Sequence, residues 1–151
     1  MSQIEKIIRS VIDPETLNSI YDLGFIREVK EENNKVMITL TPPPTFWCPP
    51  TFLYMILEDL RDKLRRNYSE VYIEIIGHHD GERLSKCINN GLKFEECYRG
   101  EIIKGEYEEL KRRFKERFER GKSNYLVKLS LEVTGEICKL LAEERRWREG
   151  G

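Results

Sequence analysis

The sequence predicts a two-layer α/β fold of the α+β type, in which a small mixed sheet carries helices on one face. Three observations lead to this prediction: apolar residues recur at helical spacing in several segments, they alternate with polar residues in others, and proline or glycine separates the segments. The predicted element order is α-β-β-α-β-α, followed by a C-terminal helical extension. With 151 residues and a mass of 18.0 kDa, the chain can bury about two-thirds of its surface in one compact domain.

The start of the chain predicts two short helices or one broken helix. Ser2 and Glu5 form a capping box before an apolar stripe at helical spacing, which consists of Ile4, Ile7, Ile8 and Val11. Asp13 suits the cap of a second helix, with Pro14 at its first position and Gly24 at its end.

A hairpin and a stiff loop follow. Phe25 to Lys30 and Lys35 to Thr41 are predicted strands around the Asn33-Asn34 turn. The stretch from Pro42 to Pro50 must be a loop, because its prolines can neither donate to a ladder nor continue a helix.

The central part of the chain predicts a long helix, a strand and a short helix. The long helix begins at Thr51 and carries the stripe Leu53, Ile56, Leu57, Leu60 and Leu64. A third strand runs from Val71 to Ile76. Asp80 can then cap a short helix that Asn90-Gly91 closes.

The core domain is predicted to cover residues 1–98, and residues 99–151 are predicted to form a helical hairpin or docking arm. An apolar stripe from Tyr107 to Phe118 marks the first helix of this arm, and Gly121 is expected to break it. A last amphipathic helix is predicted from about Tyr125 to Arg148.

Composition excludes several classes of protein. The formal net charge is −1, so no global field would collect nucleic acid, and we expect no membrane span or signal peptide. The sequence predicts a cytoplasmic protein whose four cysteines are thiols rather than disulfides. Abundant Glu, Lys and Arg with one glutamine, Gln3, indicate a thermophilic source.

Cys48 has the sharpest chemistry in the sequence. It lies at the end of the proline-rich loop, just before Pro49 and the long helix. Unpaired N–H groups and the positive end of a helix dipole favour a thiolate, which attacks electrophiles and binds soft metals or iron–sulfur clusters. The alternative is an inert buried cysteine.

The other cysteines and the histidines have simpler interpretations. Cys87 and Cys97 could join Cys48 in a metal site, but their spacing fits neither a zinc ribbon nor a ferredoxin, and core packing is the better interpretation. Cys138 is expected to be structural. His78-His79 follows a predicted strand, where neighbouring side chains point to opposite faces and cannot easily share one metal.

Four features in order resemble the MIP18 family, also called the DUF59 domain. They are Asp13-Pro14-Glu15, the segment from Ser19 to Ile26, a strand ending in Thr41, and Cys48-Pro49 after a proline-containing loop. The resemblance implies an α/β two-layer domain with a role in iron–sulfur protein maturation. It also implies that Cys48 is the leading functional residue, followed by the matching Asp13, Glu15 and Thr41.

The chain departs from the family pattern around the cysteine. The loop from Pro42 to Trp47 is longer than in most members and is closer to the PaaD-like branch, whose cysteine-rich zinc tail is absent. Glycine usually precedes the cysteine, whereas Trp47 stands here. Its indole could cover the thiol or anchor a partner.

Three functions follow as hypotheses. The first is a non-catalytic maturation factor that binds a client or a transient iron–sulfur cluster through Cys48. One thiolate cannot satisfy a cluster that needs four ligands, so a second chain of a homodimer, an apo client protein or another assembly factor must supply the rest. The second is a thiol enzyme with Cys48 as nucleophile and a histidine as base. The third is a structural adaptor that docks through its C-terminal helices.

Overall fold

The computed structural model describes residues 2–14, 16–42 and 50–123. Three strands and five helices follow one another there in the order α1 (Gln3–Arg9), β1 (Ile26–Glu32), β2 (Lys35–Leu40), α2 (Pro50–Arg65), β3 (Glu70–Ile75), α3 (Gly81–Asn89), α4 (Phe94–Cys97) and α5 (Glu106–Ser123). The predicted fold class is confirmed, and α4 is an addition that the sequence pattern does not predict.

The strands form one mixed sheet in the order β1-β2-β3. β1 and β2 pair antiparallel around the Asn33-Asn34 turn, with a register shift between Ile26 and Glu28. β2 and β3 pair in parallel, because α2 carries the chain back to the starting edge of the sheet. Consequently the C-terminal ends of β2 and β3 lie at the same end of the sheet.

The core lies between the sheet and the helices. Along β2, Val36, Ile38 and Leu40 are buried and the residues between them are half-buried, which is the period-two pattern of a sheet covered on one face. α2 contributes the facing stripe of Leu53, Ile56, Leu57, Leu60 and Leu64, each at most 1% exposed. On the opposite face of the sheet Tyr72 is 47% exposed.

Helix α3 covers the outer edge of β3 with one side of its surface. Ser85 Oγ accepts from Ile75 N at 2.9 Å, and Asn89 bonds the backbone of Ile73 one turn later. Gly81 lies where the helix comes closest, since a Cβ there would stand 2.7 Å from Ile75 O. The residues at positions i, i+4 and i+8 of α3 therefore replace the missing neighbour strand.

The prediction of a second helix after Asp13 is wrong. Asp13 makes the expected cap, because its Oδ2 accepts from Thr16 N at 2.9 Å. Leu17 then adopts φ 59°, which a right-handed helix does not allow. The chain turns back instead, and Asp13 N donates to Asn18 O at 2.8 Å.

Helix α5 also differs from expectation at its end. It continues through Gly121 to Ser123, so glycine does not break it there. The predicted helix from Tyr125 to Arg148 lies outside the described residues. In the part of the chain that the structure describes, every helix is too short or too polar to cross a lipid bilayer.

Candidate functional site

The end of the sheet at which β2 and β3 both finish is the best candidate for a functional site. Thr41 follows β2 directly, is 3% exposed, and donates its N–H to Phe25 O at 2.7 Å. Ile76, just after β3, donates to Leu40 O at 2.9 Å. These bonds fix the directions in which the two chains leave the sheet.

Gly77 lets the chain after β3 approach Thr41 closely. Its φ is +71°, and a Cβ built there would stand 3.2 Å from Thr41 Oγ1. A side chain would be strained by the backbone angle and crowded against the threonine. The positions after the two strands are therefore held close together.

The loop that contains Cys48 starts and ends on fixed elements. Pro42 follows the buried Thr41, and Pro50 is the first residue of α2. The first turn of α2 contains no acidic residue, so no side chain of that turn offsets the positive end of the helix dipole. Cys48 and Trp47 lie outside the described residues, as does Glu15.

Asp13 is fully buried and organises the turn after α1. Besides Thr16 N, its Oδ2 accepts from Thr16 Oγ1 at 2.7 Å, and its backbone O accepts from Leu17 N at 2.9 Å. These bonds give the carboxylate a structural task that is independent of any ligand.

A ladder of backbone hydrogen bonds joins the Asp13 turn to Thr41. Ile20 N donates to Val11 O at 3.0 Å, and Phe25 N donates to Ile20 O at 3.1 Å. Phe25 O in turn accepts from Thr41 N. Of the residues that the sequence predicts for the site, the structure thus connects Asp13 and Thr41.

His78 and His79 lie at this same end of the sheet, directly after Gly77. The prediction that their side chains point to opposite faces is wrong, because they occupy a turn rather than a strand. Their rings stack with centroids 4.3 Å apart, and His78 Nδ1 accepts from Asp80 N at 3.0 Å.

Cys87 and Cys97 form a disulfide with an S–S distance of 2.08 Å. The prediction that the cysteines are thiols is therefore wrong for this pair. The bond ties α3 to α4, and in this form the two sulfurs are bonded to each other rather than available to a metal. Among the described residues, no three of His, Cys, Asp and Glu are grouped so that they could hold a metal ion.

A cluster of stacked aromatic rings holds α4 and α5 against α2, and sequence reasoning missed it. Phe94 stacks on Tyr98 at 4.8 Å and on Tyr107 at 4.6 Å, and Tyr54 packs against both Phe94 and Tyr107. The rings come from separate segments, so no local spacing marks them. Only the helical stripe that begins at Tyr107 pointed to one of them.

Burial and an acidic partner both raise the pKa of two of these tyrosines. Burial raises the pKa of Tyr107 far above its usual value, and the hydrogen bond that its hydroxyl donates to Glu58 adds to the effect. Burial likewise raises the pKa of Tyr98, which donates to Asp80 Oδ2 at 2.5 Å. Both hydroxyls therefore remain neutral donors at physiological pH.

The aromatic cluster borders a cavity of about 550 Å³ beside the start of α2. Thr51 lines one side, Phe94 and Tyr107 form the inner wall, and Ile103, which is 72% exposed, stands at the rim. The chain beyond residue 98 thus contributes a wall next to the helix that follows the cysteine loop.

Comparison with known proteins found one family model and a similar solved structure. Residues 1–73 match the family model described as iron-sulfur cluster assembly protein, a range that includes Asp13, Thr41 and Cys48. A crystal structure of a domain of unknown function, DUF59, from Bacillus anthracis is 23% identical, with a TM-score of 0.40. The similarity covers 59% of this chain and 87% of that chain. No curated protein matches the chain.

Proposed function

We propose that this protein is an iron–sulfur cluster assembly or maturation factor that binds a client or a transient cluster through the loop containing Cys48. The observation that supports this most is the match of residues 1–73 to a family of iron–sulfur cluster assembly proteins. The matched range ends before α3, so it contains the cysteine loop, both of its anchors and none of the disulfide.

The local electrostatics support Cys48 as the reactive group. It precedes Pro50, the first residue of α2, by two positions, and the first turn of α2 has no acid. The N–H groups of a helix start stabilise a negative charge, so we expect a lowered pKa for this thiol. The thiolate is the form that binds iron.

The cluster is cargo in this proposal rather than a resident cofactor. Cys87 and Cys97 are bonded to each other, which leaves Cys48 as the leading ligand. A cluster needs about four ligands. An apo client protein, another assembly factor or a second copy of the chain would therefore supply the others.

Further details belong to the same proposal. We place the chain in the PaaD-like branch of the MIP18 family because of the long loop before Cys48, and Trp47 serves as an anchor for the partner. The protein acts in the cytoplasm as a homodimer. Asp13 and Thr41 position the loop, and Glu15 lies two residues after Asp13 in the sequence.

Anaerobic reconstitution with iron and sulfide tests this proposal. The wild-type protein should develop a visible charge-transfer absorption that Cys48→Ala loses, whereas the matched variant Cys138→Ala should retain it. Transfer of the chromophore to an apo ferredoxin would show the cargo role. Equal spectra for wild type and Cys48→Ala would exclude Cys48 as the ligand.

A thiol enzyme is the second candidate, because the His78-His79 turn lies at the end of the sheet from which the cysteine loop begins. A histidine there would serve as base for a Cys48 nucleophile. In that case iodoacetamide should label Cys48 rapidly at neutral pH, and His78→Gln or His79→Gln should shift the pH profile of labelling. Rapid labelling with no cluster formation would favour this alternative over the first.

A further inference from the structure

We propose that a second copy of this chain adds to the outer edge of β1 as an antiparallel strand and thereby joins the two sheets into one. The inference rests on the homodimer of the proposed function and adds the surface through which the two copies bind. It involves no residue of the cysteine loop, so its test can fail while cluster binding stands.

The two edges of the sheet are treated differently. The outer edge of β3 is covered by α3 through Ser85 and Asn89. β1 is the other edge strand, no described segment pairs with its outer side, and every residue after Ile26 is exposed. Val29 is 36% exposed in the middle of this strand. An open edge with unpaired backbone groups is a template for strand addition.

The hydrogen bonds of β2 show which of its backbone groups face β1. Leu40 O accepts from Ile76 N, on the β3 side, whereas Thr41 N donates to Phe25 O, on the β1 side. Because the direction alternates along a strand, even-numbered residues of β2 face β3 and odd-numbered residues face β1.

The same alternation then holds for β1. Glu28 and Lys30 lie opposite Thr39 and Met37, whose backbone groups face β1, so the backbone groups of Glu28 and Lys30 bond to β2. The N–H and C=O of Val29 point to the open edge. An added antiparallel strand must place its own outward-facing residues opposite Val29.

Charge distinguishes the register centred on Val29 from the two registers next to it. When Val29 lies opposite Val29 of the second copy, Glu28 faces Lys30 of the second copy on both sides of the two-fold axis. A shift by one allowed step puts Glu28 opposite Glu28, and the shift in the other direction puts Lys30 opposite Lys30. Opposite charges stabilise a cross-strand pair and like charges destabilise it.

Two features strengthen the charge pairs in the favoured register. Glu28 and Lys30 form non-hydrogen-bonded pairs across the new contact, where side chains approach more closely. Their side chains already lie on one face, with Lys30 Nζ 3.6 Å from Glu28 Oε1, so the axis collects two acids and two bases in alternation. The surface is thus self-complementary, as a two-fold interface requires.

Sedimentation equilibrium of the full chain over a range of protein and salt concentrations tests the contact. Wild type should show a monomer–dimer equilibrium that weakens with salt. Lys30→Glu replaces each Glu28–Lys30 pair by two acids and should weaken the dimer about tenfold or more. The exchange Glu28→Lys with Lys30→Glu should restore it. Lys86→Glu, which makes the same charge change at a side chain 73% exposed on α3, is the matched control and should leave it unchanged.

Val29→Pro provides a second test that does not depend on charge. Proline removes the N–H that points to the open edge but none that bonds β2, so the fold should persist by circular dichroism while the dimer is lost. A wild type that stays monomeric would overturn the inference. So would a dimer whose dissociation constant in both Val29→Pro and Lys30→Glu is the same as in wild type.

Discussion

The side-chain amide of Asn89 pairs with the backbone of Ile73 as a neighbouring strand would. Its Oδ1 accepts from Ile73 N at 2.9 Å, and its Nδ2 donates to Ile73 O at 2.7 Å. An amide has the same donor and acceptor as a peptide group. One side chain thus satisfies both backbone groups that Ile73, in the middle of β3, points to the outer edge of the sheet.

Asn89→Ala is expected to lower the free energy of unfolding by about 1–3 kcal/mol, because it leaves a donor and an acceptor of Ile73 unpaired. Urea denaturation measures the loss. Asn90→Ala, which removes a bond from an exposed amide to Lys86 O, should cost less than about 0.5 kcal/mol. Equal effects of the two variants would show that closure of the edge contributes little.

Gly81→Ala is expected to destabilise the fold even though alanine favours helices. The new Cβ would stand 2.7 Å from Ile75 O, so α3 must move away from β3 and stretch the hydrogen bond that Ile75 N donates to Ser85 Oγ. We expect the crowding to cost about 1–3 kcal/mol, whereas the helix gain at this first position of α3 is below the value of about 1 kcal/mol for a helix interior. A higher thermal midpoint in the variant would contradict the close packing of these two elements.

Reduction of the Cys87–Cys97 disulfide is expected to lower the free energy of unfolding by about 2–4 kcal/mol, mainly by freeing the unfolded chain. Cys97→Ser should lose a similar amount and no longer respond to dithiothreitol. Cys138→Ser should respond to dithiothreitol as wild type does. Thiol titration of the unreduced, unfolded protein checks the bond directly, and reactivity at both Cys87 and Cys97 would show that it is absent.

Stability is expected to fall as the pH rises above about 10, the usual tyrosine pKa. Burial raises the pKa of Tyr54 to about 12, and burial also raises that of Tyr107. The unfolded chain therefore loses these protons first, so the contribution is complete below about pH 10 and is lost as the pH approaches the folded values.

Urea unfolding between pH 8 and pH 11 measures this alkaline loss. Tyr107→Phe should flatten the decline and also lower the stability at pH 8, because Glu58 loses a hydrogen bond. Tyr21→Phe, a substitution at a ring that is 39% exposed, is the control and should leave the curve as in wild type. An unchanged slope in Tyr107→Phe would refute the coupling.

The sequence predicts the strands and helix α2 well because their burial is periodic. The alternation in β2 and the stripe in α2 both reflect a single covered face, and each is visible without knowledge of the partner. The order of elements follows from these patterns together with the proline-rich and glycine breaks.

Local sequence patterns fail where the same hydrogen bond is compatible with two different structures. The Asp13 cap is identical in a helix start and in the turn observed here, and only the left-handed Leu17 separates them. Likewise, the spacing of Cys87 and Cys97 cannot reveal a disulfide, because the bond depends on α4 returning to bring their Cα atoms within 5.8 Å.

The candidate site was only partly accessible from sequence, for a similar reason. Thr41 and Asp13 are identified by motif, but their connection runs through the backbone of Ile20 and Phe25. Gly77 and Thr41 follow two different strands, and they are adjacent only because β2 and β3 are parallel. Contacts of this kind depend on topology, which residue spacing does not encode.

The direction of β1 determines where two joined copies would act. Phe25 stands at its start, bonded to Thr41 at the entrance of the cysteine loop. An antiparallel copy reverses this direction about Val29, and strand residues advance about 3.4 Å each, so the two entrances lie about 27 Å apart along the strands. Such a dimer would be double-ended, with one loop entrance for a client at each end of the joined strands.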